Sequence, residues 1–200
     1  MYLKNIWKIL RHNTSKATLG IFLVLLPYLS HPKELTTWRV DTMNLAKILM
    51  VEEGFSPAPY LCSEGYVTIG FGTKLQHLKG LKPEHFPIRV SISMAKEWMQ
   101  SEVDIKDGKL RDPNINPFAH TYANMDDDRR AIILSMAYQM GTAGVLKFKK
   151  MWRALSIYDY VGAAYEALDS TWAISQSPNR AHRHADVLFG ESMEEVYGGQ

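Results

Sequence analysis

The 200 residues of this chain allow one domain of ordinary size with an appendage. A hydrophobic fraction of 46% beside a charged fraction of 22% is that of a chain able to bury a core. The net charge of +2 is too mild for a nucleic-acid binder, and a single cysteine, Cys62, excludes an intramolecular disulfide and a thiolate metal cluster.

Residues 1–16 carry Lys4, Lys8, Arg11 and Lys16 with no acid, and residues 17–30 then run without a charge before the acid-bearing stretch up to Asp41. A basic region followed by an apolar one is the pattern of an export signal. As a helix, residues 17–30 reach roughly 21 Å, short of the ~30 Å hydrocarbon core. Pro27 shortens it further. Tyr28-Leu29-Ser30 makes a poor cleavage site, so residues 1–42 are expected to be an export or signal-anchor segment and linker, associating transiently with the inner membrane. Basic residues ahead of the apolar run would keep the amino end inside and export the rest to the periplasm. Cleavage, and a true start at Met43, stay open as alternatives.

Residues 43–200 read as one domain. Leu45, Ile48 and Leu49 predict a short amphipathic helix stopped at Gly54. Residues 56–59, with two prolines, break the pattern. Tyr60-Leu61-Cys62, Ser63-Glu64-Gly65 and Tyr66 to Ile69 then predict strand, turn and strand. Gly70 and Gly72 bracket Phe71 and offer a backbone that can be approached closely. A long helix is expected from Ser93 to Gly108. Four more follow, over 126–140, 145–155, 158–172 and 178–189. Asp126 to Asp128 suit a helix N-terminus, Pro178 a helix start and Gly190 a helix end. The expected fold class is α+β and mostly helical. It has a small β-hairpin lobe, a long linking helix and a helical C-terminal lobe, with a cleft between the lobes.

Glu53 at a helix end, Cys62 on one strand and Thr68 on the next are the candidates for chemistry. Glycoside hydrolysis needs a protonated acid beside the leaving oxygen and a second group on the opposite face. A glutamate desolvated against apolar neighbours such as Phe55 can hold its proton near neutral pH. His182, His184 and Asp186 stand two apart on a helix, cannot share a metal ion, and are expected on a solvated face.

Glu53-Gly54, then eight residues between Glu53 and Cys62 and five between Cys62 and Thr68, resemble the phage-type lysozymes of glycoside hydrolase family 24. That family's triad is glutamate, aspartate or cysteine, and threonine at this spacing. The likeness resumes over 129–141 and from Trp172 to Ala181. It implies a two-lobed lysozyme-like domain and an endolysin muramidase hydrolysing the β-1,4 bond between N-acetylmuramic acid and N-acetylglucosamine of bacterial peptidoglycan. Glu53 would then be the general acid, Cys62 the second catalytic group, and Thr68 would help place the attacking water. Tyr138 and Gln139 would line the sugar cleft, and Arg180 would orient or pair with Glu53. No metal or organic cofactor, no nucleic acid and a monomeric state are implied. The alternatives are a domain of a virion or envelope assembly that binds peptidoglycan without cutting it, and a lytic transglycosylase.

Overall fold

The computed structural model describes residues 40–62 and 64–199, with side chains from Leu45 onward. The export or anchor segment expected over 1–42 lies outside the described residues, save for the backbone of its last three. Among the described residues no helix is long and apolar enough to cross a membrane. The chain divides into two compact units, one holding residues 54–99 and the other residues 40–53 with 100–199.

The first unit is built on a three-stranded antiparallel sheet ordered β1-β2-β3, with β1 at Ser56–Leu61, β2 at Val67–Gly70 and β3 at Thr73–Lys74. The two prolines expected to break the pattern lie inside β1. Proline cannot donate to a ladder, but β1 is an edge strand whose register shifts between Ser56 and Tyr60, where a missing N–H costs little. The Pro57 carbonyl also accepts from the Val90 amide. Val67, Ile69 and Phe71 supply the core of this unit. Gly70 meets two demands at once. Its φ is +67°, and a Cβ there would lie 3.0 Å from that of Ala95 on the helix α2 (Ile92–Arg111), so only glycine allows that approach.

Helix α2 contributes its first turns to the first unit and residues 100–111 to the second. It runs through Gly108 instead of stopping there. A mid-helix glycine costs about 1 kcal/mol. Continuing the helix buries Leu110 completely and forms the Asp107–Arg111 ion pair, with Tyr122 donating to Asp107 at 2.6 Å.

In the second unit, α1 (Val40–Glu53) starts upstream of Asn44, where the apolar pattern begins, and ends where Gly54 takes a φ of +64°. After the short α3 (Ala119–Ala123), α4 (Asp127–Met140) is capped by the Asp126 side chain and buries every residue from Ala131 to Ala137. A helix apolar on all sides is a central helix, and here α1 and α8 (Pro178–Phe189) pack on it. The two helices expected over 145–155 and 158–172 are broken up into four pieces. These are α5 (Thr142–Val145), α6 (Lys149–Ser156), α7 (Tyr160–Leu168) and a π-helical turn at Trp172–Gln176. Helix α8 keeps its expected bounds, with Pro178 in the first turn and Gly190 past the end. Helix α9 (Met193–Tyr197), which the pattern did not announce, closes the unit against α1.

Candidate active site

Glu53 is the last residue of α1, where the carbonyl ends of the helix disfavour a carboxylate. Arg180 compensates. Its Nη1 donates to Glu53 Oε1 at 2.7 Å, and its side chain is only 6% exposed against 19% for Glu53. Its Nη2 donates to the Ser135 carbonyl at 3.0 Å and to the Ser135 hydroxyl at 2.8 Å. Glu53 therefore faces a cation. The guanidinium is held from behind by α4, so its position does not depend on Glu53 alone.

Beside this pair, Arg183 grips Glu52 with two bonds, Nε to Oε1 at 2.9 Å and Nη2 to Oε2 at 2.8 Å. The Glu52 side chain is 4% exposed. Its bond holds Arg183 more firmly protonated than usual, against the opposing effect of burial. Arg180, Arg183, Gln139, Ser177 and Asn179 line a pocket of about 310 Å³ at the start of α8. The Gln139 amide donates to the Ser177 hydroxyl at 2.7 Å, and its oxygen accepts from Trp172 Nε1 at 2.9 Å. Tyr138 is half-buried and is not among the lining residues, and Lys106 stands 5.5 Å above its ring.

In the sheet unit, Cys62 and Thr68 come together through the hairpin register. Tyr60 pairs with Thr68, and the Cys62 amide donates to the Tyr66 carbonyl at 2.9 Å, so period-two alternation puts Cys62 and Thr68 on one face. Burial pushes the Cys62 thiol up. The Thr68 hydroxyl, the backbone of Tyr66 and Glu64, and the Lys74 ammonium together outweigh it, and the thiol ends below its ordinary value. The Thr68 hydroxyl donates to the Tyr66 carbonyl at 3.1 Å. Its one proton can turn to the sulfur when the thiolate forms.

A pH dependence follows. Because the folded pKa is lowered, the thiolate adds stability above the ordinary thiol pKa, and that part is lost as pH falls through the lowered value. The rate of alkylation by iodoacetamide is expected to rise with pH with a midpoint below that of a free thiol, and Thr68→Val should move it upward. A midpoint at or above that of a free thiol in the wild type would contradict this electrostatic account.

The chain matches the phage lysozyme family over residues 51–181. It belongs to that family. The matched stretch contains Glu53, Cys62, Thr68, Tyr138, Gln139 and Arg180. Over 163 residues the chain is 27% identical to "Probable T4-type lysozyme 1" of Dictyostelium discoideum, covering 72% of this chain and 93% of that one. It is 28% identical over 166 residues to "Probable T4-type lysozyme 2" of the same organism, covering 76% and 97%. It is also 26% identical over 178 residues to "Pre-baseplate central spike protein Gp5" of Enterobacteria phage T4, covering 80% of this chain but 30% of that protein. Membership of the phage lysozyme family supports a lysozyme-like function.

One expectation fails in this phage lysozyme domain. His184 is completely buried, while its neighbours His182 and Asp186 are exposed. Two-residue spacing does separate faces on a helix, but the face carrying Arg180, Ala181, His184, Ala185 and Leu188 points into the core. Glu52, Arg183 and Ser135 also escaped the sequence reading. The available signal was Ser135 itself, a lone hydroxyl in the otherwise apolar run 131–137.

Proposed function

We propose that this chain is a peptidoglycan muramidase, an endolysin that hydrolyses the β-1,4 bond between N-acetylmuramic acid and N-acetylglucosamine. Glu53 is the general acid. The observation carrying this reading is a glutamate at the last position of α1, held through Oε1 by a buried guanidinium. Oε2 would then carry the proton to the glycosidic oxygen. By the family resemblance, Cys62 would take the part of the second catalytic group, which stabilises the oxocarbenium ion or activates water. The Cys62 pKa is lowered, which favours the thiolate as the carrier of negative charge there, and Thr68 would orient the water. Gln139 and Arg180, in the pocket at the start of α8, would bind substrate, and Tyr138 would contribute beside them. Residues 1–42 would address the enzyme across the inner membrane to the periplasm.

A second reading is a lysozyme-like domain that serves a virion assembly, and the similarity to the central spike protein favours it. Digestion of purified sacculi with the full chain, followed by mass spectrometry, separates the readings. Reducing muramic acid ends support the muramidase, and anhydro ends would indicate a transglycosylase instead. Binding without products would leave the assembly domain.

A further inference from the structure

Behind the Arg180–Glu53 pair lies a buried chain of polar groups that catalysis as proposed does not use. His184 Nε2 lies 2.9 Å from the Ser135 hydroxyl, and His184 Nδ1 lies 2.8 Å from the Tyr197 hydroxyl. Tyr197 in turn donates to Glu52 Oε1 at 2.9 Å. The chain therefore reaches from Glu53 through Arg180, Ser135, His184 and Tyr197 to Glu52 and Arg183.

The donors and acceptors along it can be assigned one by one. Glu52 receives two bonds from one edge of the Arg183 guanidinium, Nε and Nη2, and as the anion of that pair only accepts. Tyr197 has one proton and gives it to Glu52. Its oxygen must then accept from His184, which places the ring proton on Nδ1. Nε2 of the neutral ring is left as an acceptor, and the Ser135 hydroxyl supplies the proton to it. The Ser135 oxygen accepts from Arg180 Nη2. Every bond points the same way, from the Arg180 cation to the Glu52 anion, an arrangement in which each bond polarises the next. A protonated His184 would reverse the bond at Ser135, because Nε2 would donate to the hydroxyl instead of accepting from it, and the bonds would no longer all point one way. The surroundings agree: burial, followed by the charges of Arg180 and Arg183, pushes His184 well below the ordinary histidine value. The groups facing the ring are Arg180 and Arg183 on its own helix, Ser135 on α4, Tyr197 on α9 and Trp172 at a centroid distance of 5.8 Å.

We propose that His184 is a positioning residue: as a neutral ring protonated on Nδ1, it ties the Glu52–Arg183 pair to Ser135 and so locks Arg180 in the orientation that holds Glu53. The proposal rests on Glu53 being the acid, but its core is a tautomer and a direction of hydrogen bonding that can be read without turnover. A merely space-filling histidine would need neither. An apolar side chain of similar volume would do as well in a buried network whose only task is stability.

The first test is ¹⁵N NMR of the full chain. His184 is expected to show a protonated Nδ1 and an unprotonated Nε2, unchanged between about pH 5 and pH 8, the range in which an ordinary histidine titrates. An Nε2–H tautomer in the wild type, or titration within that range, would overturn the relay. Tyr197→Phe removes the acceptor for Nδ1–H, so the proton is expected to move to Nε2 and the Arg180 guanidinium signals to lose their separation. Unchanged Arg180 signals in that variant would equally overturn it. The second test is kinetic. Ser135→Ala and Tyr197→Phe, which do not touch each other, should each lower kcat about 3- to 10-fold with KM little changed, the scale of losing one neutral hydrogen bond. Together they should lower it no further than Ser135→Ala alone, because a series connection broken once is broken. Effects that multiply would mean two independent structural roles. A wild type without hydrolytic activity would refute the proposed function, while the tautomer and the Arg180 signals would still decide the relay.

Discussion

Glu53→Gln should lower the rate of lysis of outer-membrane-permeabilised Gram-negative cells by about 10²- to 10⁴-fold, the usual contribution of a general acid. The substitution is nearly isosteric, and the amide oxygen can still accept from Arg180 Nη1, which now donates to Oε1 at 2.7 Å. The helix end at Gly54 and the packing of α1 on α4 are untouched, but Arg180 loses its counter-charge, so a fall in Tm smaller than that of Arg180→Met is expected. What the amide cannot do is deliver a proton to a leaving oxygen. Clearing by the variant at a rate within about threefold of the wild type would remove Glu53 from the acid role, since that is far below what a general acid contributes. Retained binding to sacculi alongside lost clearing would separate chemistry from recognition.

Arg180→Met is expected to destabilise the protein by about 3 kcal/mol, the lower end of what breaking a buried ion pair costs, because Glu53 is 19% exposed and water screens part of the loss. For a domain of this size that is a fall in Tm of roughly 6–12 °C. The loss has two sources. Glu53 is left as a carboxylate at a helix C-terminus without its cation, and the Ser135 carbonyl and hydroxyl lose their donor. Methionine fills much of the volume, so a cavity is not the cause. Arg180→Lys retains the charge without the planar fork, and its loss should be intermediate because one ammonium cannot serve Glu53 and Ser135 in the same geometry. Calorimetry on the two variants checks the order. A methionine variant as stable as the wild type would show that α8 is held by its apolar face alone.

Much of the architecture is written locally. Gly54 after Glu53, Asp126 before α4, and Pro178 and Gly190 around α8 each act on the neighbouring backbone, and each element ends where the residue type requires. Local rules failed where a neighbour in space overrode them. Two prolines were accepted in β1 because it is an edge strand, and Gly108 did not stop α2 because Leu110 beyond it is buried. The two-residue strand β3 is too short to show alternation. It exists because Thr73 pairs with Ile69.

The same division runs through the candidate site. Composition alone excluded disulfides and thiolate clusters, and the resemblance to the phage-type lysozymes, carried by intervals of eight and five residues, gave Glu53, Cys62 and Thr68 their expected roles. The tertiary structure alone decided what each side chain meets. Arg180 reaches Glu53 across 127 positions and Ser135 across 45, and Arg183 reaches Glu52 across 131. Whether a polar side chain is buried depends on whether a partner waits in the core, because an unpaired buried charge or hydrogen-bonding group costs several kcal/mol while a satisfied one is tolerated. His184 looks like any surface histidine in the sequence, and only the folded positions of Ser135 and Tyr197 place it in the interior.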